Sequence, residues 1–543
     1  MDTLEDLFRR LEQLNEVGAA LSKERDITRL LENILVAAKT ITHADGGTLY
    51  RMSEDGDHLR FEIMRTDSLG IAMGGTTGSA INFPDLPLHD ERGQPNNAMV
   101  AAYAAINDRT VNIADAYTEA GFDFSGTRKF DERTGYRSRS FLTVPMKNHE
   151  SEIIGVLQLI NSRPPGADNV VPFSAADQRL AESLASQAAI ALTNRQLISQ
   201  LETLFESFIS LINLAIDEKS PYTGGHCQRV PALTMMIAEA VNDTANGPLA
   251  NFHMSDKDRY ELKIAGLLHD CGKVTTPVHV VDKATKLHTL FDRIHLIDTR
   301  FEVLKRDAEI AALRKTLALR ETGDKVGEKA IWDDFEVQQQ RLDQERDFLR
   351  RANVGGEAMQ PEDQQKVRDI GTGYQWLDVT GKQSNFLSAD EIENLSIRAG
   401  TLTAAEREII NYHIVATIKM LEQLPWPRHL KNVPEYAGGH HERMDGKGYP
   451  RGLTREQMSV QARIMGIADI FEALTARDRP YKPGMKLSQA MSILANFAKG
   501  GHIDPDLFQV FVREQVYRKY AENFLDPGQM DGVDVDAILD TGG

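Results

Sequence analysis

Only two cysteines, Cys227 and Cys271, occur in 543 residues, so no disulfide framework braces the fold and a reducing compartment is expected. Cys227 stands beside His226 and Cys271 beside Asp270, and a small buried side chain accounts for both. Long hydrophobic runs are missing as well. None approaches the roughly 18 apolar residues of a membrane span, and the charged, amphipathic N-terminus lacks the apolar core of a signal peptide. A cytoplasmic protein without a membrane segment is the expectation. Positive charge is scarce, with 62 Lys and Arg against 80 Asp and Glu. The net charge of −18 excludes a general affinity for nucleic acid or anionic membrane. A phosphate-bearing ligand then needs locally concentrated metal or basic side chains. The hydrophobic content of 41% supports globular cores, and the length suits two or three domains, because single cores stop growing at roughly 250–300 residues.

Leu4, Leu7, Leu11, Leu14 and Leu21 recur at steps of three and four, with Gly18 in the missing place, which is a heptad seam. A second helical pattern runs from Ile27 to Ile41. From about residue 46 to 162 the texture changes to short strand-like runs, Gly47 to Arg51, Leu59 to Ile63 and Ile153 to Ile160, broken by Gly, Asp and Asn. Helical residues return at Ala175. This order, with Ser140 to Met146 and then Gly155 to Asn161 before a long exit helix, resembles a GAF domain over about residues 24–195. Glu132 to Ser140 looks like the phosphodiesterase-type subset, some of which bind cyclic nucleotides. Asn161, Phe173 and Asp177 match that subset's signature, but Ser162 stands for its Lys and Gln178 for its Glu. A cyclic-nucleotide site and a fold used for dimerisation and relay are both open readings.

The exit helix carries Ile190, Asn194, Leu197, Leu201, Leu204, Phe208, Leu211 and Ala215 at alternating steps of four and three. Two such helices pair into a coiled coil, so a parallel homodimer is expected.

The chemistry is concentrated further on. In His269-Asp270-Cys271-Gly272-Lys273 an imidazole and a carboxylate close the apolar run Ile264 to Leu268. A charge there costs several kcal/mol unless it is paired or metal-bound. A buried His-Asp hydrogen bond explains one such pair. However, His226, His413, His440, His441 and Asp469 also lie on or at the ends of apolar helical segments, and seven such groups together point to a shared cation. Mixed imidazole and carboxylate donors suit Fe, Mn, Zn, Co or Ni. A carboxylate can bridge two ions, which makes Asp270 the natural bridge. Two ions about 3.5–4 Å apart activate water for in-line displacement at phosphorus, so phosphoester hydrolysis is the implied reaction class.

His269-Asp270, the string from His440 through Gly448-Tyr449-Pro450, and the run from Asp469 to Tyr481 together resemble an HD-GYP domain over about residues 205–285 and 398–515. The resemblance implies a metal-dependent phosphodiesterase that opens cyclic di-GMP to the linear dinucleotide and onward to GMP. It implies His226, His269, Asp270, His413, His440, His441 and Asp469 as metal ligands, with a bridging hydroxide as nucleophile. Lys273 would contact the scissile phosphate and act with Asp270 in catalysis. Gly448, Tyr449 and Pro450 form the family's named loop for substrate and partner recognition, diguanylate cyclase-type proteins among the partners. Arg479 and Lys482 would hold the second phosphate. Fe or Mn is the family preference, and two ions are expected because Tyr222 replaces the Glu that adds a third in some members. One extra residue separates Asp469 from Arg479. The family's Lys-x-Gly-x-Leu-Thr segment is split. Lys283 to Leu287 fits it at first, which would put Asp298 in a ligand place with His288 and His295 nearby. Arg398 to Thr403 followed by Glu406 and His413 fits motif and spacing together, so His413 is chosen and His288 and His295 are read as surface residues on one face.

The expected fold is multidomain: an α+β GAF sensory domain, a coiled-coil signalling helix and an all-α HD-GYP domain with a helical insertion. The boundaries are an N-terminal dimerisation helix (1–23), the GAF domain (24–175), the linker helix (176–216), the HD-GYP domain in two parts (217–283 and 398–519), the insertion (284–397) and a poorly ordered acidic tail (520–543). Leu304, Ile310, Leu313 and Leu317, then Phe335, Leu342, Phe348 and Leu349, predict an antiparallel helical hairpin in the insertion, which caps the active-site mouth, extends the dimer surface or binds a partner. Two readings compete with a cyclic di-GMP phosphodiesterase: an occluded domain that binds nucleotide or a partner, and an enzyme for another cyclic dinucleotide such as cyclic GMP-AMP.

Overall fold

The computed structural model describes residues 4–21, 23–24, 26–164, 169–219, 225–322, 325–356, 358–377, 380–477 and 484–542. Pro221, Tyr222, Arg479 and Lys482 lie outside the described residues. The chain divides into two compact units, Met1–Phe205 and Glu206–Gly543.

The first unit is built on one antiparallel sheet. Its strands are β1 (Ala44–Met52), β2 (His58–Thr66), β3 (Ile71–Gly74), β4 (Leu86–Pro87), β5 (Val111–Ile113), β6 (Phe141–Lys147) and β7 (Ile153–Ser162). The order is β3-β2-β1-β7-β6-β5, with β4 beside β2. Alternation along the strands sends side chains to opposite faces. Leu157 and Leu159 of β7 join Leu49 and Ile63 in a core covered by the helices Leu4–Leu21, Ile27–Thr42 and Ala175–Lys219. Val156 faces the other way, with Tyr50 and Leu59, onto Ala101, Ala102 and Ala105 of the short helix Val100–Ile106. The three strand-like runs read from the sequence are β1, β2 and β7.

The N-terminal helix differs from the expected free seam. Leu14 and Leu21 are buried in the unit's own core, whereas Leu11 remains exposed. Arg10 fixes this helix: it is buried, its Nε donates to the Ile41 carbonyl at 2.8 Å, and its guanidinium pairs with Asp177. Asp177 therefore has a cation although Ser162 stands where the family pattern has lysine. In contrast, Ile190, Leu197, Leu201, Leu204, Phe208 and Leu211 of the long exit helix are all exposed.

The second unit is helical, and the insertion has a core of its own. Helices Ile294–Thr322 and Lys325–Asn353 form the expected antiparallel hairpin. Ion pairs Asp298–Arg350, Glu302–Arg346 and Lys305–Asp343 link them in opposite directions of numbering. Beyond the hairpin lie elements that periodicity did not indicate: helix Pro361–Gly373, a two-stranded ribbon of Gln375–Leu377 and Gln383–Asn385, and helix Ala389–Leu395. Phe301, Leu349, Val367, Phe386 and Leu395 from these pieces share one apolar cluster. His288 and His295 do not share a helical face as expected, because the helix begins at Ile294; His295 is exposed and His288 only half-buried.

The C-terminal segment also departs from the expected disorder. Residues beyond Tyr520 form a helical turn at Pro527–Gln529 and a helix at Val535–Gly542. The Asp531 carboxylate accepts from the Ser488 backbone N–H at 2.8 Å and from its hydroxyl at 2.7 Å. Acidic composition suggested solvation, but the acid caps the start of a helix, Leu487–Lys499, from a distance in sequence that periodicity does not report.

Replacing Arg10 by Met leaves the buried Asp177 without its cation, and breaking such a pair costs about 3–5 kcal/mol. Hydrogen exchange of the Ile27–Thr42 helix in R10M is expected to accelerate at least tenfold; unchanged protection would show that the pair does not hold this unit.

Candidate metal centre

Five helices and one turn deliver the histidines and aspartates. The capping box of Ser255 and Asp258 starts the helix Asp256–Leu268, whose C-cap is His269, with Asp270 opening the turn Cys271–Thr275. Thr403 and Glu406 form a second capping box at the head of helix Ala404–Glu422, which carries His413. Helix His226–Asn242 presents His226 in its first turn, helix Val433–Gly438 ends just before His440 and His441, and helix Val460–Thr475 supplies Asp469. Close backbone approach holds the turn in place. A Cβ on Gly272 would lie 2.0 Å from the His413 carbonyl oxygen, and the Gly272 N–H donates to Thr417 Oγ1 at 2.9 Å.

The side chains converge in two groups of three, His226, His269 and Asp270 in one and His413, His440 and His441 in the other, each with its donor atoms within 4.8 Å of one another. Asp270 lies between the groups. Its Oδ2 is 3.0 Å from His226 Nε2 and 3.3 Å from His269 Nε2, while its Oδ1 is 3.2 Å from His413 Nε2. Asp469 reaches both sides too, with Oδ1 3.4 Å from His226 Nε2 and Oδ2 4.0 Å from His441 Nδ1. All seven residues expected as ligands are thus gathered in one place. Asp298, the rejected alternative to His413, is held by Arg350 on the hairpin.

Hydrogen bonding aims the rings. His269, His413 and His440 each direct Nδ1 at the carbonyl of the residue three earlier, Gly266, Ile410 and Ala437, at 2.6–2.7 Å. His226 Nδ1 meets Glu472 Oε2 at 2.6 Å. These contacts leave Nε2 of each ring facing inward as a lone-pair donor. Two of the inward atoms, Asp270 Oδ1 and His440 Nε2, are buried without a hydrogen-bond partner. Buried polar atoms without partners are rare. A cation between the two groups satisfies them, so the donor set fits divalent metal.

The electrostatics agree with that reading. Burial works against the Asp270 carboxylate, yet Lys273 and His269 hold it well below the usual range, and His440 and His441 do the same for Asp469. Burial and neighbouring imidazoles push His440 well below its ordinary value and His441 down to about 4, so both are neutral donors at pH 7. His226 is the exception. Burial is the largest single influence and would lower it, but the Glu472 and Asp270 carboxylates together raise it to about 9.

Glu472 and Arg229 were not found from the sequence. Glu472 is wholly buried and also accepts from Arg229 Nε at 2.7 Å. The available signal was its place three residues after Asp469, on the same helical face in an apolar run. Glu442 was missed as well. Its carboxylate accepts from the Arg451 and Leu453 N–H groups at 2.7 and 2.9 Å, which shapes the Gly448-Tyr449-Pro450 loop. A Cβ on Gly448 would strike Glu442 Cα at 2.5 Å, and the Tyr449 ring stacks on His441 with centroids 4.8 Å apart. Lys273 Nζ lies 2.5 Å from Asp270 Oδ2.

In the first unit a cleft of about 610 Å³ is lined by Tyr136, Arg137, Arg139 and Arg163 among others. Asn161 and Asp177 serve the fold there. Asn161 Oδ1 accepts from the Arg139 and Ser140 N–H groups, its Nδ2 donates to the Arg137 carbonyl, and Asp177 receives the Ser174 N–H and hydroxyl. Phe173 is buried in the core.

The GAF domain family matches residues 26–192, and HD domain families match residues 223–362 and 388–507. The chain is 46% identical over 88 residues to the 3′3′-cGAMP-specific phosphodiesterase 1 of Vibrio cholerae, which covers 16% of this chain and 20% of that protein. It is 46% identical over 116 residues to a cyclic di-GMP phosphodiesterase of Pseudomonas aeruginosa, covering 21% and 27%. A probable cyclic di-GMP phosphodiesterase of Vibrio cholerae is 34% identical over 140 residues, covering 25% and 31%. The chain spans less than a third of the length of each of these relatives. No described helix is long and apolar enough to cross a membrane.

Metal ligation requires neutral imidazole, and His226 is protonated at pH 7.5 in the metal-free chain, below its raised value of about 9. Loading with Mn at pH 7.5 is expected to release about one proton per chain, read as the dependence of the calorimetric heat on buffer ionisation enthalpy. Glu472→Gln lowers the His226 value, so proton release falls, and metal affinity drops about 10–100-fold in a chelator competition. Equal release and affinity in wild type and E472Q would refute the role given to Glu472.

Proposed function

We propose, given that a GAF domain here precedes an HD domain, that this chain is an HD-GYP-type phosphodiesterase hydrolysing cyclic di-GMP. The observation that carries the reading is the paired imidazole groups with the Asp270 carboxylate between them and its inward oxygen left without a hydrogen bond. His226, His269, Asp270, His413, His440, His441 and Asp469 would hold two divalent ions, Fe or Mn. When bound, the ions supply Lewis-acid activation of water and neutralise charge on the phosphoryl oxygens.

The chain's own groups prepare the rest. The Nδ1 contacts fix His226, His269, His413 and His440 before substrate arrives, so these rings need not reorient during reaction. Lys273 places an ammonium beside Asp270, where it meets the scissile phosphate and stabilises the charge that grows as the bond to O3′ breaks. The Gly448-Tyr449-Pro450 loop presents the Tyr449 ring at the rim, with an aromatic face for a base and a route for partner contact. Arg479 and Lys482 are assigned the second phosphate. Substrate passes to the linear dinucleotide and then to GMP. Cyclic GMP-AMP is the alternative substrate, favoured by the identity with the cGAMP-specific relative.

The same reading places the chain in a homodimer in the cytoplasm. Support comes from the row of exposed apolar residues on the exit helix and from two buried, unpaired cysteines. The GAF domain is taken as the regulatory input, with a small anionic ligand such as a cyclic nucleotide.

Metal-loaded protein incubated with cyclic di-GMP and, separately, with cyclic GMP-AMP is expected to yield linear product from the first at the higher kcat/KM. In Asp270→Asn turnover falls at least about a hundredfold, because the shared carboxylate is lost. Tight binding of cyclic di-GMP without product would transfer the assignment to a binding module. For the dimer, Leu204→Asp with Leu211→Asp is expected to halve the mass measured by light scattering; an unchanged dimer would remove the exit helix from the interface.

A further inference from the structure

The insertion contains a cleft of about 320 Å³ among Lys286, Phe348, Arg351, Met359, Asp363 and Arg398. Lys286 is only 2% exposed. Its Nζ contacts the Leu395 carbonyl at 3.1 Å and Met359 Sδ at 3.4 Å, and among the described residues no carboxylate pairs with it. Arg351 and Arg398 line the same cleft, and neither pairs with a described carboxylate. This is unusual for its surroundings. On the same hairpin Arg346 binds Glu302 and Asp343, and Arg350 binds Asp298. A chain of net charge −18 has acids to spare, yet among the described residues three cations line one cleft with a single acid, Asp363.

Arg351 stands in the last turn of its helix, where the dipole favours a cation, but that explanation does not reach Lys286 or Arg398. Burial lowers Lys286 to about 8, which still leaves it charged at pH 7. A buried ammonium on a carbonyl and a thioether lacks the counter-charge that normally accompanies it. The same cleft also has apolar lining. Phe348 and Met359 contribute it, and Lys366 sits over the Phe348 ring at 4.4 Å.

We propose that the insertion carries a binding site for a small phosphate monoester with an aromatic group, its phosphate held by Lys286, Arg351 and Arg398 and its ring against Phe348 and Met359. Two or three charge-assisted contacts suit a dianion, and the cleft volume lies at the small-molecule end of ligand sites. No residue of the metal centre takes part, so the proposal goes beyond the phosphodiesterase reading and does not depend on it. The site is three residues from Lys283, whose Nζ binds both oxygens of Glu406 at the head of the His413 helix.

The test is calorimetric titration of the metal-loaded, full-length protein with phenyl phosphate. A saturable component is expected that survives Asp270→Asn and weakens at least tenfold in the double variant Arg351→Ala, Arg398→Ala. Neither arginine is buried, so that variant keeps its fold even if Lys286→Met, expected to weaken the same component tenfold, does not. Absence of binding in wild type, binding that D270N abolishes, or equal affinity in wild type and the double arginine variant would each overturn the proposal.

Discussion

Asp270 is the constraint on which the second unit depends. A carboxylate buried to this degree is expensive to leave charged, and it is held charged by an ammonium and by imidazoles brought from distant parts of the chain. Every element that supplies one of those groups has to be fixed in register with the others. Gly272 exists in that role, since any side chain there would push the turn away from the His413 helix. Glu472 has the same purpose on the other side, anchoring His226 from the helix that also carries Asp469.

The insertion leaves this arrangement intact because its two ends return to the same place. Lys283 closes the first part of the domain and Glu406 opens the second, and the pair meets at 2.7–2.8 Å with Asn394 and Thr401 completing the contact. The family's split segment is thereby rejoined across about a hundred residues. The inserted helices pack around an apolar cluster of their own.

The first unit shows a related substitution of one contact for another. The signature lysine is absent at Ser162, and Arg10, from a helix that precedes the sheet, supplies the cation for Asp177 instead. As a consequence the N-terminal helix is committed to its own unit, while the exit helix keeps its apolar row exposed.

The order of the two domains, the principal strands, the hairpin in the insertion and the six residues that gather around Asp270 were all legible in the amino-acid sequence. Periodicity reports local structure, and the motif strings carry donor types at fixed short spacings. Folding had to settle which rings face one another, that Glu472 and Glu442 support them, that Arg10 serves Asp177, and that the acidic tail packs at Ser488. Those contacts join residues from 9 to 246 positions apart or depend on a buried acid looking, in sequence, like any solvated one. Composition marks a carboxylate as polar; burial and partners, which depend on the packing of distant segments, turn it into an anchor.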